Sequence, residues 1–123
     1  MLGWWFIVST QTPEEQDEAV RNKTASLARW ETSINGIKWV QKLVDDGKAT
    51  QHRANGYPNR YTARAGDVLP LLANGPPAHT GPTVLGEDYV MPGNWSGNIV
   101  FDHDAIAACP PDETLTIDAW DLS

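Results

Sequence analysis

The sequence has a single cysteine and, after Arg64, no lysine or arginine. Cys109 alone cannot form an internal disulfide, which favours a reducing, cytoplasmic compartment, and we interpret it as a small buried apolar residue. No apolar run has the roughly 18 residues of a membrane span. The apolar N-terminus, Met-Leu-Gly-Trp-Trp-Phe-Ile-Val, lacks a basic leader, so we expect neither a signal peptide nor a membrane contact.

Charge is divided unevenly along the chain, whose formal net charge is −7. Residues 1–64 hold nine basic and seven acidic side chains, a net of +2, whereas residues 65–123 hold nine acids and no lysine or arginine, a net of −9. A field of one sign attracts surfaces of the opposite sign. The split therefore favours a partner with a basic surface and disfavours a generic DNA-binding protein, whose phosphate contacts need clustered cations.

With 123 residues, 41% of them hydrophobic, we expect one globular domain over residues 1–123. Apolar side chains on both faces of Trp4–Thr10 predict a central strand. Thr12-Pro13-Glu14-Glu15 resembles a helix start, and apolar residues at helical spacing predict a first helix from 13 to about 31. A second helix is predicted from Ile37, with Gly47 as its C-terminal cap.

A hairpin is predicted next, with strands at 49–54 and 59–64 around an Asn-Gly turn. A short helix at Asp67–Ala73 and a Gly/Pro-rich loop at Gly75–Gly97, interrupted only by a brief strand, are expected to follow. Further strands are predicted at Asn98–Asp102 and at Thr114–Trp120, the latter with one face on the core. The expected fold is α+β, with a mixed or antiparallel sheet of about four to five strands, two main helices, a basic β-hairpin and a long loop.

The hairpin segment Lys48–Arg64 carries four of the nine basic residues and no acid. The order of a strand, two helices and a basic hairpin resembles a winged-helix module over about half of the chain, without a sequence motif. That resemblance implies binding of nucleic acid or a phosphorylated ligand. The residues concerned are Lys38, Lys42, Arg53, Tyr57, Arg60, Tyr61 and Arg64. The alternative, which the charge balance favours, is that the hairpin arginines pair with the chain's own carboxylates.

Asp102-His103-Asp104 is a candidate for metal binding or acid–base chemistry, because carboxylate and imidazole groups suit both. No second ligand cluster has the spacing of a metal site, so we favour a helix-capping role for the aspartate. Ser96 lacks the glycine that a nucleophile elbow needs two residues before it, and no phosphate-binding glycine loop is present. We expect no cofactor, and we favour a binding protein over an enzyme.

Two of the six tryptophans, Trp95 and Trp120, fall in segments that could expose them, and exposed tryptophan is a common interface anchor. With nearby carboxylates they would form an acidic, aromatic docking surface, comprising Glu87, Asp88, Trp95, Asp118, Trp120 and Asp121. The alternative is that both indoles are buried. Our first hypothesis is a small acidic binding or inhibitor protein, immunity-like or counter-defence-like, which docks on a basic partner. Nucleic-acid binding is the second hypothesis, and a small metal-assisted or acid–base enzyme the third.

Overall fold

A computed structural model describes residues 3–10, 26–54, 56–81, 83–85 and 90–122. Six antiparallel strands form the main sheet: β1 Trp4–Ser9, β2 Ser26–Thr32, β3 Ala49–Ala54, β4 Asn59–Arg64, β7 Ser96–Phe101 and β8 Thr114–Asp121. Their order in the sheet is β3-β4-β8-β1-β2-β7. Two further short strands, β5 Val84–Leu85 and β6 Val90–Met91, pair with each other in the long loop.

β1 is central, as predicted, because it pairs with β2 on one side and β8 on the other. β8 is also central, between β4 and β1. All five residues from Leu115 to Ala119 are buried, so the prediction that only one face of this strand is covered was wrong. Its polar side chains Thr116 and Asp118 are therefore buried on the face opposite Leu115, Ile117 and Ala119.

The predicted first helix is wrong over residues 26–31, which belong to β2. Leu27 and Trp30 lie three residues apart and fit a helical spacing, but a strand accommodates them equally well when a bulge intervenes. Ala28 and Trp30 lie opposite Val8 and Phe6, whereas Arg29 and Glu31 point to the other face. Pairing with two neighbouring strands therefore determines the structure here. The rest of the predicted helix, 13–25, falls outside the described residues.

The second predicted helix is confirmed as α1, Lys38–Asp45, which a 3₁₀ turn at Ile34–Ile37 precedes. Val40 and Leu43 are its buried residues. Gly47 has φ +74°. Its N–H donates to the carbonyl of Val44, and the N–H of Lys48 donates to that of Leu43, the two bonds of a Schellman motif.

The hairpin strands β3 and β4 have the predicted bounds. The turn between them includes Gly56, with φ +82°, and a cis Tyr57–Pro58 peptide bond. The short helix begins earlier than predicted, as α2 Ala65–Val68 followed by a 3₁₀ turn at Leu69–Leu72. After β7, α3 spans His103–Ala108.

These elements form one compact α+β domain with an antiparallel sheet, as predicted, but the sheet has six strands instead of four to five. The difference follows mainly from β2, which the sequence pattern assigned to a helix. In the described ranges the α-helices are α1, α2 and α3. None of them is long and apolar enough to cross a membrane.

One face of the sheet, called here the core face, packs against the helices. Phe6 and Trp30 stack on it with ring centroids 5.1 Å apart, and Trp30 lies 5.7 Å from Phe101. Val40, Val68 and Leu72 cover this face from the helices and turns. The opposite face, called the second face, carries mainly polar and aromatic side chains.

Candidate interaction surface

Strand register determines which side chains meet on the second face. Thr50, Thr62, Thr116, Ser9 and Ser26 are successive partners across five strands, which gives a row of hydroxyl groups. In the neighbouring row, Arg60 lies opposite Asp118, which lies opposite Ile7. Ser9, Thr116, Arg60 and Asp118 are all buried. The middle of these two rows is therefore internal, whereas Thr50 at the β3 end of the first row is exposed.

A third row brings tryptophans together. Trp120 lies opposite Trp5, Trp5 opposite Glu31, and Glu31 opposite Gly97. A Cβ on Gly97 would lie 2.6 Å from Cζ2 of Trp95, so the Trp95 indole lies over Gly97 on the second face. The three tryptophans and Glu31 are half-buried. Trp95 and Trp120 thus share one face, about 14 Å apart at the usual strand spacing.

Trp5 was missed as a member of this row, because the sequence pattern assigned it to the core. Consecutive side chains of a strand point to opposite faces, so only one of Trp4 and Trp5 can reach the core face. Trp4 packs against the core, and Trp5 does not. The Trp4-Trp5 pair was the signal that one indole lies on each face.

Arg60 and Asp118 form a buried, bidentate ion pair. Arg60 Nε donates to Asp118 Oδ1 at 2.8 Å, and an Arg60 Nη donates to Oδ2 at 3.1 Å. The side chains are 4% and 1% exposed. A hairpin arginine is therefore paired with a carboxylate of the acidic half, the arrangement that the charge balance favoured for the hairpin.

The six residues of the predicted acidic docking surface do not lie together. Asp118 is buried in its pair with Arg60, so it is not part of an exposed surface. Asp121 is half-buried and lies opposite Trp4, on the core face. Trp95 and Trp120 lie on the second face, and Glu87 and Asp88 fall outside the described residues. The prediction of one continuous acidic surface therefore needs a correction, because β8 is covered on both faces at Asp118 and because Asp121 and Trp120 lie on opposite faces.

The predicted nucleic-acid set is also divided. Tyr61 is 1% exposed in the core, where it cannot stack on a base. Arg53 and Arg60 lie opposite each other on the second face, whereas α1, which carries Lys38 and Lys42, packs on the core face. Of the other residues in this set, Lys42 pairs with Asp46 at 3.1 Å, and Arg64 and Tyr57 are exposed.

Asp102, His103 and Asp104 lie at the start of α3. Asp102 Oδ1 accepts a hydrogen bond from the Ala105 N–H at 3.0 Å, so Asp102 caps this helix. His103 packs 6.1 Å from the Phe101 ring. Among the described residues, no group of three or more His, Cys, Asp or Glu side chains could hold a metal ion.

A serine–histidine contact joins two distant segments that no sequence spacing connects. His79 Nε2 lies 2.6 Å from Ser33 Oγ and 3.3 Å from Thr32 Oγ1. Both hydroxyls donate elsewhere, Ser33 to the Gly93 carbonyl and Thr32 to that of Trp95. Since a hydroxyl has one proton, with both hydroxyls donating to these carbonyls the ring proton lies on Nε2 and is shared by the two oxygens.

This assignment makes the contact a structural tether. A general base would need an unprotonated nitrogen facing the serine, and Ser33 is only 2% exposed, without room for a substrate. The network holds the long loop, at His79, Gly93 and Trp95, against the end of β2.

Cys109 has the properties of an inert thiol. Its burial raises the pKa of the thiol, and the nearby Glu113 carboxylate raises it further. The reactive thiolate form is therefore disfavoured at neutral pH.

β7 ends the sheet, and in the described ranges it pairs only with β2. Ile99 and Val100 on it are 51% and 52% exposed. A groove of about 560 Å³ runs between β7 and the segment after α2. It is lined by Ala73, Asn74, Gly75, Pro76, Ile99, Val100, Phe101 and His103.

Comparison with protein-family models, curated proteins and solved structures gives no match for this chain.

Proposed function

We propose that this chain is a small acidic binding protein that docks on a basic surface of a protein partner through its second half. The observation that carries the proposal is the charge left at the surface after folding. Asp102, Asp104, Asp112 and Glu113 are exposed, and residues 65–123 contain no lysine or arginine to neutralise them.

The Arg60–Asp118 pair supports the proposal in a second way. Burial of this pair removes one cation from the hairpin surface and one anion from the acidic half, which leaves the net charge at −7. The hairpin then has fewer cations to offer to phosphates, whereas the acids near α3 remain exposed. Complementary charge at the rim of an interface mainly accelerates association and selects the partner.

Selection from a displayed library of random peptides tests the proposal. We expect the wild-type protein to enrich peptides rich in lysine and arginine, with binding that weakens as salt rises. The Asp102→Asn/Asp104→Asn variant should bind the selected peptides several-fold more weakly. Asparagine is also a good N-cap, so this variant keeps the start of α3.

The matched control is Asp45→Asn/Asp46→Asn, which makes the same change in net charge at the exposed end of α1. It should bind as the wild type does. Equal weakening by both variants, or enrichment without an excess of cationic residues, would contradict the proposal. Binding of duplex DNA that is lost in Lys48→Ala/Arg64→Ala would instead support the hairpin hypothesis.

A further inference from the structure

We infer that the partner contributes an extended segment, rich in apolar and basic residues, which adds as a strand to the edge of β7 that has no strand partner in the described part of the chain. This inference rests on the proposed function and specifies how the acidic half binds. Three features lie together here: a strand edge without a partner among the described residues, an apolar groove beside it, and exposed carboxylates at its end.

The two edge strands of the sheet, β7 and β3, differ in the side chains that they expose. A strand at the end of a sheet offers unpaired N–H and C=O groups, and proteins usually blunt such edges with charged or polar side chains. The other edge strand, β3, exposes mainly polar side chains, Thr50, Gln51 and His52 besides Ala54, and its pairing with β4 is irregular between Gln51 and Arg53. β7 instead exposes the two adjacent apolar residues Ile99 and Val100.

The groove beside β7 is large enough to hold side chains of a bound segment. Its volume of about 560 Å³ lies within the range of about 300–1,000 Å³ that is usual for binding pockets. One wall is β7, and the other is the segment Ala73–Pro76. A segment that paired with β7 would therefore also bury apolar side chains against this wall, as in other cases of strand addition.

The length of the pairing is limited by a bulge. Asn98 has φ +49°, and the register between β2 and β7 shifts between Val100 and Gly97. A bulge disrupts the regular ladder locally. We therefore place the added strand along Ile99 to Phe101, with its end beside His103.

The carboxylates beside the groove indicate which kind of segment pairs with β7. Asp102 and Asp104 flank His103 at the end of the groove, and both are exposed. A second copy of this chain would bring the same carboxylates and a net charge of −7 to the interface. Like charges at an interface oppose association, so we assign the edge to a cationic segment of another protein.

A set of short synthetic peptides tests this inference. The first has a core of alternating valine and threonine with two lysines at each end, and the second has the same composition with valines and threonines in blocks. We expect the alternating peptide to bind more tightly and to slow hydrogen exchange of the β7 amides. Two N-methylated forms, one for each set of alternate amides, should differ, because only one set can pair with β7.

Protein variants make the test specific to the edge. Ile99→Thr/Val100→Thr keeps residues that favour strands but removes apolar surface, and it should weaken binding about tenfold. The control is Leu85→Thr/Val90→Thr, at two other highly exposed apolar positions, and it should have no effect.

The outcomes separate this inference from the proposed function. If both peptides bind equally and both N-methylated forms bind, strand addition is wrong, but loss of binding in Asp102→Asn/Asp104→Asn would still support acidic docking. If no cationic peptide binds, the proposed function fails as well. A stable dimer in sedimentation experiments that Ile99→Thr/Val100→Thr disrupts would assign the edge to a second copy and overturn the inference.

Discussion

At the scale of single residues, the Arg60–Asp118 pair connects the two differently charged halves of the chain. Each group is buried and fixed by two charge-assisted hydrogen bonds to the other. Removal of one partner from such a pair leaves an uncompensated buried charge. The pair therefore contributes more to the choice of a single register between β4 and β8 than to net stability.

A double-mutant cycle tests the role of this pair. Arg60→Met and Asp118→Leu should each lower the free energy of unfolding by about 3–5 kcal/mol, because each removes the two charge-assisted hydrogen bonds that the other buried charge makes in this pair. The double variant should lose far less than the sum, since it leaves no charge behind. Urea unfolding of the four proteins measures the coupling. Additive losses would show that the two side chains stabilise the fold independently.

Tyr61 gives stability a dependence on high pH. Burial raises the pKa of its phenol, and a hydrogen bond with the Asn59 side chain lowers it by less. The folded protein thus holds this proton above the unfolded value near 10, so the stabilisation is complete below pH 10 and is lost as the pH rises further.

The comparison of wild type with Tyr61→Phe isolates this effect from other groups that titrate at high pH. The stability of Tyr61→Phe relative to wild type should increase from pH 9 to pH 11, because phenylalanine has no proton to lose. Urea unfolding at both pH values gives the difference. A constant difference between the two proteins would show that the phenol ionises equally in the folded and unfolded states.

At the scale of elements, the long loop depends on a few side-chain contacts. Ser33, Thr32 and His79 hold it against the end of β2 through the network that ends at the Gly93 and Trp95 carbonyls. Between Gly75 and Trp95, the strand pairing of the described residues is that of β5 with β6. The order of the loop is therefore expected to respond to one buried hydroxyl.

Ser33→Ala should loosen this loop and lower the free energy of unfolding by about 1–3 kcal/mol, the cost of leaving buried polar groups without partners. Hydrogen exchange of residues 76–81 should accelerate relative to that of α1. The control Ser96→Ala removes a half-buried hydroxyl on the neighbouring strand β7 and should leave the exchange rates unchanged. Faster exchange in both variants would indicate general destabilisation instead of a tether.

The elements that local chemistry specifies could be predicted from the sequence. Gly56 in the hairpin turn and Gly47 after α1 both have a positive φ, which glycine adopts readily. The hairpin bounds and the end of α1 could therefore be predicted from these residues. β2 could not be predicted in this way. Its apolar spacing fits a helix as well as a bulged strand, and its strand partners are distant in sequence.

The candidate surface could be predicted only in its composition. The absence of cations after Arg64 is visible in the sequence, but the docking surface predicted from it did not include Asp102, Asp104, Asp112 or Glu113, which are exposed near α3. Face assignment depends on register, which placed Asp118 inside and Trp5 beside Trp120. The β7 edge and its groove depend on the sheet order, which brings Ile99 beside a segment 25 residues away in the chain.

At the scale of the whole molecule, the uneven charge has a thermodynamic consequence. The exposed acids of residues 65–123, among them Asp102, Asp104, Asp112 and Glu113, have no lysine or arginine in that half and repel one another more in the folded protein than in the expanded unfolded chain. The acidic surface therefore lowers the stability of the protein. Screening by salt should recover part of that loss.

We expect the free energy of unfolding to rise with sodium chloride up to a few tenths molar, by on the order of 1 kcal/mol, since exposed charges interact weakly. Asp112→Lys/Glu113→Lys changes the net charge from −7 to −3 at two exposed positions, and it should raise stability and reduce the salt dependence. Thermal or urea unfolding at several salt concentrations measures both. An equal salt dependence in wild type and variant would mean that repulsion among these acids does not limit stability, and that the acidic half is stabilised by contacts that outweigh its charge.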